Sequence, residues 1–304
     1  MKHSLEVTLV LLGLFLAAQI IGLFILDQYR EVEVSETGEI NITYTALPSI
    51  GGVEIERPKI EPSKSVWLIA IAVAIGTVLL LFLIRMRQDI LWKLWFFLAV
   101  LICLTIAFGA FMGSTMAFII ALLLSYIKVF RPGIITHNLT ELFIYGGLAA
   151  IFVPILDKLS VFVLLVLISV YDMYAVWKSK HMIKLAKFQT KARIFSGMLV
   201  PYDLPKIKPA KKGKGKRVLK KVKIKTAILG GGDIGFPLLF AGVIMNEVGL
   251  LKSMVIPVFV TISLVMLLLI GKKDKFYPAM PFLSIGCLAG YAGVKIIELA
   301  ILLL

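Results

Sequence analysis

Histidine and cysteine are almost missing from this 304-residue chain, which has three of the first and two of the second. Each shortage excludes a kind of chemistry. His3, His137 and His181 are far apart, and none opens the H-E-x-x-H spacing with which a helical zinc peptidase holds its metal. They are read as lying near span ends or in loops, which leaves a nucleophilic serine within a span no histidine to activate it. Cys103 and Cys287 sit in apolar runs, as small buried hydrophobes do, and suggest neither a disulfide framework nor a metal set. No residue pattern asks for a cofactor. Charge is also scarce: 17% of residues are charged and 60% hydrophobic, with a mean hydropathy of +0.96. A soluble globule has roughly 45–50% apolar residues, so a soluble fold is excluded.

What is present is a series of apolar runs at 5–26, 66–84, 91–108, 112–128, 139–156, 159–177, 226–246, 253–270 and 279–302. Each is near the roughly 20 residues a helix needs to cross about 30 Å of hydrocarbon. The runs are continuously apolar, so the expectation is an all-α polytopic membrane protein of nine transmembrane helices. The first run is longer than a signal-peptide core and has no clear small-x-small cleavage site, and it is read as a retained span. Three sections follow: 1–177, with six spans and a polar loop at 27–65; a basic loop at 178–225; and three spans in 226–304.

The net charge of +15 raises nucleic acid as a partner, but about half of the Lys and Arg stand in the 178–225 loop between spans, which is the positive-inside pattern. No nucleic-acid partner is expected. With that loop in the cytoplasm, the N-terminus and Lys272-Lys273-Asp274-Lys275 are also inside, and the Glu-rich 27–65 loop and the C-terminus are outside. Glu31–Val34 and Ile40–Tyr44 alternate around Ser35–Gly38, which predicts a small β-hairpin. It contains a chance-prone glycosylation sequon, Asn41-Ile42-Thr43. In the basic loop, residues 182–194 have the pattern of a surface-lying amphipathic helix. Residues 205–217, poor in apolar mass, are expected to be disordered. Val222-Lys223-Ile224-Lys225 alternates as a strand does.

Two aspartates lie inside apolar runs, where a charge costs roughly 2.5–3.5 kcal/mol. Asp172 follows Tyr171 in the sixth span; Asp233 ends the run Gly230-Gly231-Gly232-Asp233 in the seventh. Asp172 is six residues before Lys178 and Asp233 eight after Lys225, which puts them roughly 9 and 12 Å from the same surface at about 1.5 Å per residue. Antiparallel packing of these spans lets the pair face each other and share a proton, one acting as acid and one as base in peptide hydrolysis by water. Read singly, Asp172 is a polar residue bonded to a neighbouring helix and Asp233 a helix N-cap after flexible glycines. The glycines also let another backbone approach, as a scissile peptide must. Pro278-Ala279-Met280-Pro281 reads on its own as a good helix start. Lys295 and Glu298 form an intramembrane ion pair.

Tyr171-Asp172, Gly230-Gly231-Gly232-Asp233 and Pro278-Ala279-Met280 resemble, in order and spacing, the YD, GxGD and PAL motifs of the presenilin and signal-peptide-peptidase intramembrane aspartyl proteases. The third motif has Met280 where leucine is usual. Topology is presenilin-like, and the resemblance is to a microbial, archaeal presenilin homologue. The resemblance implies that Asp172 and Asp233 are catalytic and that Pro278, Ala279 and Met280 shape the site beside them. Tyr171 and Gly230 to Gly232 are then substrate-positioning, the partners are transmembrane-helix substrates and the bilayer, and no metal takes part. Oligomeric state and accessory subunits stay open. If proteolysis needs extended chain, residues 218–225 are expected to offer an edge to the unwound substrate; the alternative is a solvated basic tether. Rival readings are a prepilin or preflagellin GxGD leader peptidase and a proton-coupled transporter. A proline motif opening a ninth span counts against the first, and the lack of a second glycine-broken span counts against the second.

Overall fold

The computed structural model describes residues 4–34, 40–50, 52–86, 89–179, 195–202, 226–271 and 277–303. The amphipathic helix at 182–194, the disorder at 205–217, the strand at 222–225, the basic run at 272–275 and the hairpin turn at 35–38 lie wholly or almost wholly outside these residues.

Ser4 opens α1 (Leu5–Tyr29), its hydroxyl accepting the Val7 amide as an N-cap does. Strands β1 (Arg30–Val34) and β2 (Ile40–Tyr44) pair antiparallel with Val32 opposite Ile42, so the hairpin read from the alternation is present. Then come α2 (Pro62–Met86), α3 (Asp89–Gly109), α4 (Ser114–Phe130) and α5 (Ile134–Phe152). Asp157 caps α6 (Lys158–Met173) by accepting the Ser160 amide at 2.7 Å, and α6 runs on into one π-helical turn, Tyr174–Lys178. Strands β3 (Gly197–Pro201) and β4 (Thr226–Gly230) precede α7 (Gly231–Val248). A helical turn, Leu250–Ser253, leads into α8 (Val255–Ile270), and α9 (Met280–Leu303) ends the chain's helices.

The nine apolar runs thus correspond to nine helices among the described residues. Seven meet the length and hydropathy needed to cross a membrane; α4, at 17 residues, is slightly short, and α7 carries Asp233 and Pro237. Two boundaries differ from the sequence reading by five residues. Helix α5 starts at Ile134, where Gly133 in extended conformation ends the turn from α4. His137, read as lying near a span end, is the fourth residue of that helix and is buried. The seventh span loses its first five residues to β4: Thr226-Ala227-Ile228-Leu229-Gly230 is apolar enough for a helix, but its backbone finds a partner in β3.

Helix α1 packs against α5, α7 and α8, and its fully buried Phe15 and Leu23 share one core with Ile234, Leu238 and Phe240 of α7. Helices α8 and α9 close tightly where a Cβ on Gly286 or Gly290 would lie 2.8 Å from the Val260 or Ile256 Cα. Small residues four apart let helix backbones meet where no hydrophobic effect drives them together. Helix α2 packs mainly on α6 and turns Ile75, Val78 and Phe82 outward, as a lipid-facing helix does.

Candidate active site at the ends of α6 and α7

Asp172 is the penultimate residue of α6 and Asp233 the third of α7, so two antiparallel neighbours bring both carboxylates to the same end of the bundle. A π turn begins two residues after Asp172; such turns relax the α-helical register and often mark working sites. Asp172 is 6% exposed, and its Oδ2 accepts the Met280 amide at 3.1 Å, with the Ala279 amide also directed at it. Met280 opens α9, where amides have no partner within the helix and the helix dipole is positive. The Pro278-Ala279-Met280 run therefore delivers a helix N-terminus to a buried carboxylate, and Pro278 is itself buried.

Asp233 lies deep in the bundle yet keeps some accessible surface, and Asp172 is the acidic group that acts on it electrostatically. The Gly230 amide is directed at its carboxylate. One residue on, the Ile234 carbonyl accepts Gln19 Nε2 of α1 at 2.7 Å. Pro237 has no N–H for the Asp233 carbonyl, which loosens the first turn of α7 at the acidic residue. The three glycines are not equivalent. A Cβ on Gly231 would come within 2.6 Å of Ser196 Oγ and 2.9 Å of Tyr145 Oη, one on Gly230 would stand 3.2 Å from Asp233 Oδ2, and one on Gly232 would make ordinary contact with Phe236. The Tyr171 hydroxyl is 2.8 Å from Thr77 Oγ1, a bond that ties α6 to α2.

Beside this site lies a buried polar cluster that the sequence reading passed over. Lys128 of α4 donates to Glu141 Oε1 of α5 at 2.7 Å, and each side chain is 1% exposed. Lys128 also reaches Thr140 Oγ1 at 3.0 Å, and Tyr145 donates to Glu141 Oε2. The cluster grips β3. Gly197 N–H donates to Glu141 Oε2 at 3.1 Å, and His137 Nε2 lies 2.8 Å from the Gly197 carbonyl. Only a protonated Nε2 suits that carbonyl, leaving Nδ1 as the acceptor facing Lys128 at 3.4 Å. Asn138 accepts the Leu199 amide at 3.0 Å and donates to the Leu199 carbonyl at 2.7 Å. A glutamate inside an apolar run, preceded by a lysine at the end of the previous span, was the signal available for this cluster.

The fold so far is that of a polytopic helical membrane protein with two acids at one end of the bundle. The family model for signal-peptide peptidase, presenilin aspartyl protease matches residues 43–299, and the chain belongs to that family. Two crystal structures, each of a presenilin family intramembrane aspartate protease, share its fold. The one in space group C222 has 18% sequence identity and a TM-score of 0.56, over 93% of this chain and 94% of that one. The one in space group P2 has 19% identity and a TM-score of 0.57, over 97% and 98%. No curated protein matches the chain in sequence.

Proposed function

We propose that this protein hydrolyses peptide bonds within transmembrane helices, with Asp172 and Asp233 as the catalytic pair and water as the nucleophile. The observation that carries this reading is the placement of two acids from adjoining helices at one end of the bundle, one of them held by the Met280 amide that opens α9. Two close carboxylates do not both ionise cheaply, so the pair keeps one proton. The ionised member takes a proton from water as its oxygen attacks the scissile carbonyl carbon; the protonated member gives its proton to the carbonyl oxygen. Collapse of the tetrahedral diol breaks the C–N bond. The amide nitrogen leaves with a proton from the acid that took one from water, the other carboxylate takes a proton back from a diol hydroxyl as the C=O re-forms, and no covalent enzyme intermediate forms. Pro278 to Met280 position Asp172, and the glycines leave room for substrate backbone next to Asp233. The family assignment gives no support to the leader-peptidase and transporter readings.

A helical substrate must unwind before its carbonyl can be reached, and β4 offers a place for the unwound chain. Glu141, His137 and Asn138 take the backbone groups of Gly197 and Leu199, so β3 turns those of Met198 and Val200 toward β4. Their β4 partners are Leu229 and Ala227, which leaves Thr226, Ile228 and Gly230 on the opposite edge. That edge is the one whose Gly230 amide is directed at Asp233. An extended substrate added there runs past the carboxylates by β-augmentation. The edge expected at residues 218–225 lies outside the described residues; the edge proposed here is that of the neighbouring Thr226–Gly230. By the charge pattern, the aspartate end is cytoplasmic; by the family resemblance, the substrate has its N-terminus outside and enters toward α6 and α9.

The test is incubation of purified protein in detergent with a single-span peptide and identification of the fragments. Cuts inside the span are expected, and Asp172→Asn and Asp233→Asn should each lower the rate by about 10²–10⁴ or more, the range general acid–base groups supply. Full turnover in either variant would remove the proposal.

A further inference from the structure

Nothing in the chemistry above requires the cluster on α4 and α5, yet it holds β3 by four hydrogen bonds. Resting on the reading that substrate pairs with the outer edge of β4, we infer that Asn138 and Glu141 are positioning residues that set which peptide bond of the substrate is cut. Each reaches β3 backbone from one side, alternating along the strand: Glu141 takes the amide of Gly197, Asn138 takes amide and carbonyl of Leu199, and His137 takes the carbonyl of Gly197. The far side of β3 is the ladder to β4. A strand normally has two edges open to other strands; here helix side chains replace the outer neighbour.

The arrangement fixes register as well as position. Gly197 has φ +131° and a Cβ there would lie 2.1 Å from the Leu229 carbonyl oxygen, so only glycine sits between the grip and the ladder. Ser196 extends the ladder by accepting the Gly231 amide at 3.1 Å, and its side chain bonds Tyr145, which in turn donates to Glu141. One chain of contacts therefore runs from the Lys128–Glu141 pair through β3 to Gly231, two residues from Asp233. Because β4 continues directly into α7, an edge that moves along the bundle carries the substrate with it relative to Asp172, which is fixed on α6. In a ladder, the smallest shift that keeps the same side chains on the same face is two residues. Loosening the grip should therefore spread cleavage to bonds two residues from the main one.

The experiment maps the fragments of one single-span peptide by mass spectrometry for the wild type, Asn138→Ala, Leu199→Pro and Thr140→Val. Asn138→Ala removes two of the four bonds to β3. Leu199→Pro removes the amide that Asn138 accepts while leaving the β4-facing groups of Met198 and Val200 in place, and it serves as the second variant where Asn138→Ala does not fold. Either should raise the ratio of displaced to main cuts about tenfold, as the loss of one or two ordinary hydrogen bonds permits. Thr140→Val weakens the cluster without touching β3; it should lower thermal stability and leave the cut ratios unchanged. Slower cutting at unchanged ratios in the grip variants would overturn the inference, and so would an equal spread in Thr140→Val. Either result leaves the protease reading standing, since that reading falls only with retained turnover in the aspartate variants.

Discussion

The two ends of the bundle handle charge in opposite ways. At the aspartate end, the Lys128–Glu141 pair is 1% exposed on each side and is surrounded by hydrogen bonds to Thr140, Tyr145 and the β3 backbone. At the hairpin end, Glu247 of α7 pairs with Lys158 at 3.0 Å and Lys295 at 2.6 Å, and Lys295 continues to Glu298 at 2.9 Å, with side chains 29–49% exposed. Both sets join helices, but water competes only for the second. A buried pair is costly to desolvate and then intolerant of losing one partner; an exposed pair contributes little and tolerates change. The end with the dehydrated network is the end where the proposed mechanism needs two carboxylates and a strand edge held in fixed relation.

This contrast is sharpest in the response to removing one partner. Glu141→Ala leaves the Lys128 ammonium buried without its carboxylate and should cost about 3–5 kcal/mol in denaturant or thermal unfolding in detergent. Lys128→Met combined with Glu141→Leu should recover only part of that loss, since the Tyr145 hydroxyl and the Gly197 amide still lack their acceptor. A cost under about 1 kcal/mol for Glu141→Ala would show that water reaches the pair and that the two ends do not differ as described. At the hairpin end, Glu247→Gln should cost no more than about 1 kcal/mol and progressively less as salt is raised. A loss as large as that at Glu141 would break the comparison from the other side.

The smallest effect is alkaline and belongs to the hairpin. The Tyr44 hydroxyl donates to Asn246 at 2.6 Å, and its ring stands against the Arg57 guanidinium. Burial raises its pKa from 10.0 to about 12, with Asn246 and the nearby arginines opposing the rise. A raised phenol is neutral in the folded state while the unfolded chain already ionises, so its contribution is complete below pH 10.0 and is lost as pH climbs toward 12. Between those values Tyr44→Phe should flatten the decline of thermal stability, and an unchanged slope would place the decline elsewhere.

How much of this was legible in the sequence depended on whether a feature is local. The helices were readable because each apolar run carries its own signal, and the β1–β2 pair because alternation marks both of its strands. That Asp172 and Asp233 share one end of the bundle was suggested by the lysines near each, but the helical count to Asp233 fails because Thr226–Gly230 is a strand; Lys295 with Glu298 followed from helical spacing, and they are 2.9 Å apart. Strand β3 was not readable, since Gly197-Met198-Leu199-Val200-Pro201 is a short apolar stretch in a basic loop and becomes a strand only by meeting β4 and α5. Strand β4 was read as helix because an apolar pentapeptide looks the same in either state. The delivery of the Met280 amide to Asp172 spans 108 residues and is a product of packing that no local pattern carries.

Catalysis as proposed depends on one proton being held between Asp172 and Asp233 during turnover, and the pH dependence of kcat/KM on a single-span peptide tests this most directly. A pair active only in its singly protonated form predicts a bell, falling on the acid side as both carboxyls become protonated and on the alkaline side as both ionise. A profile with a single limb, level to either side across the range in which the protein stays folded, would contradict it.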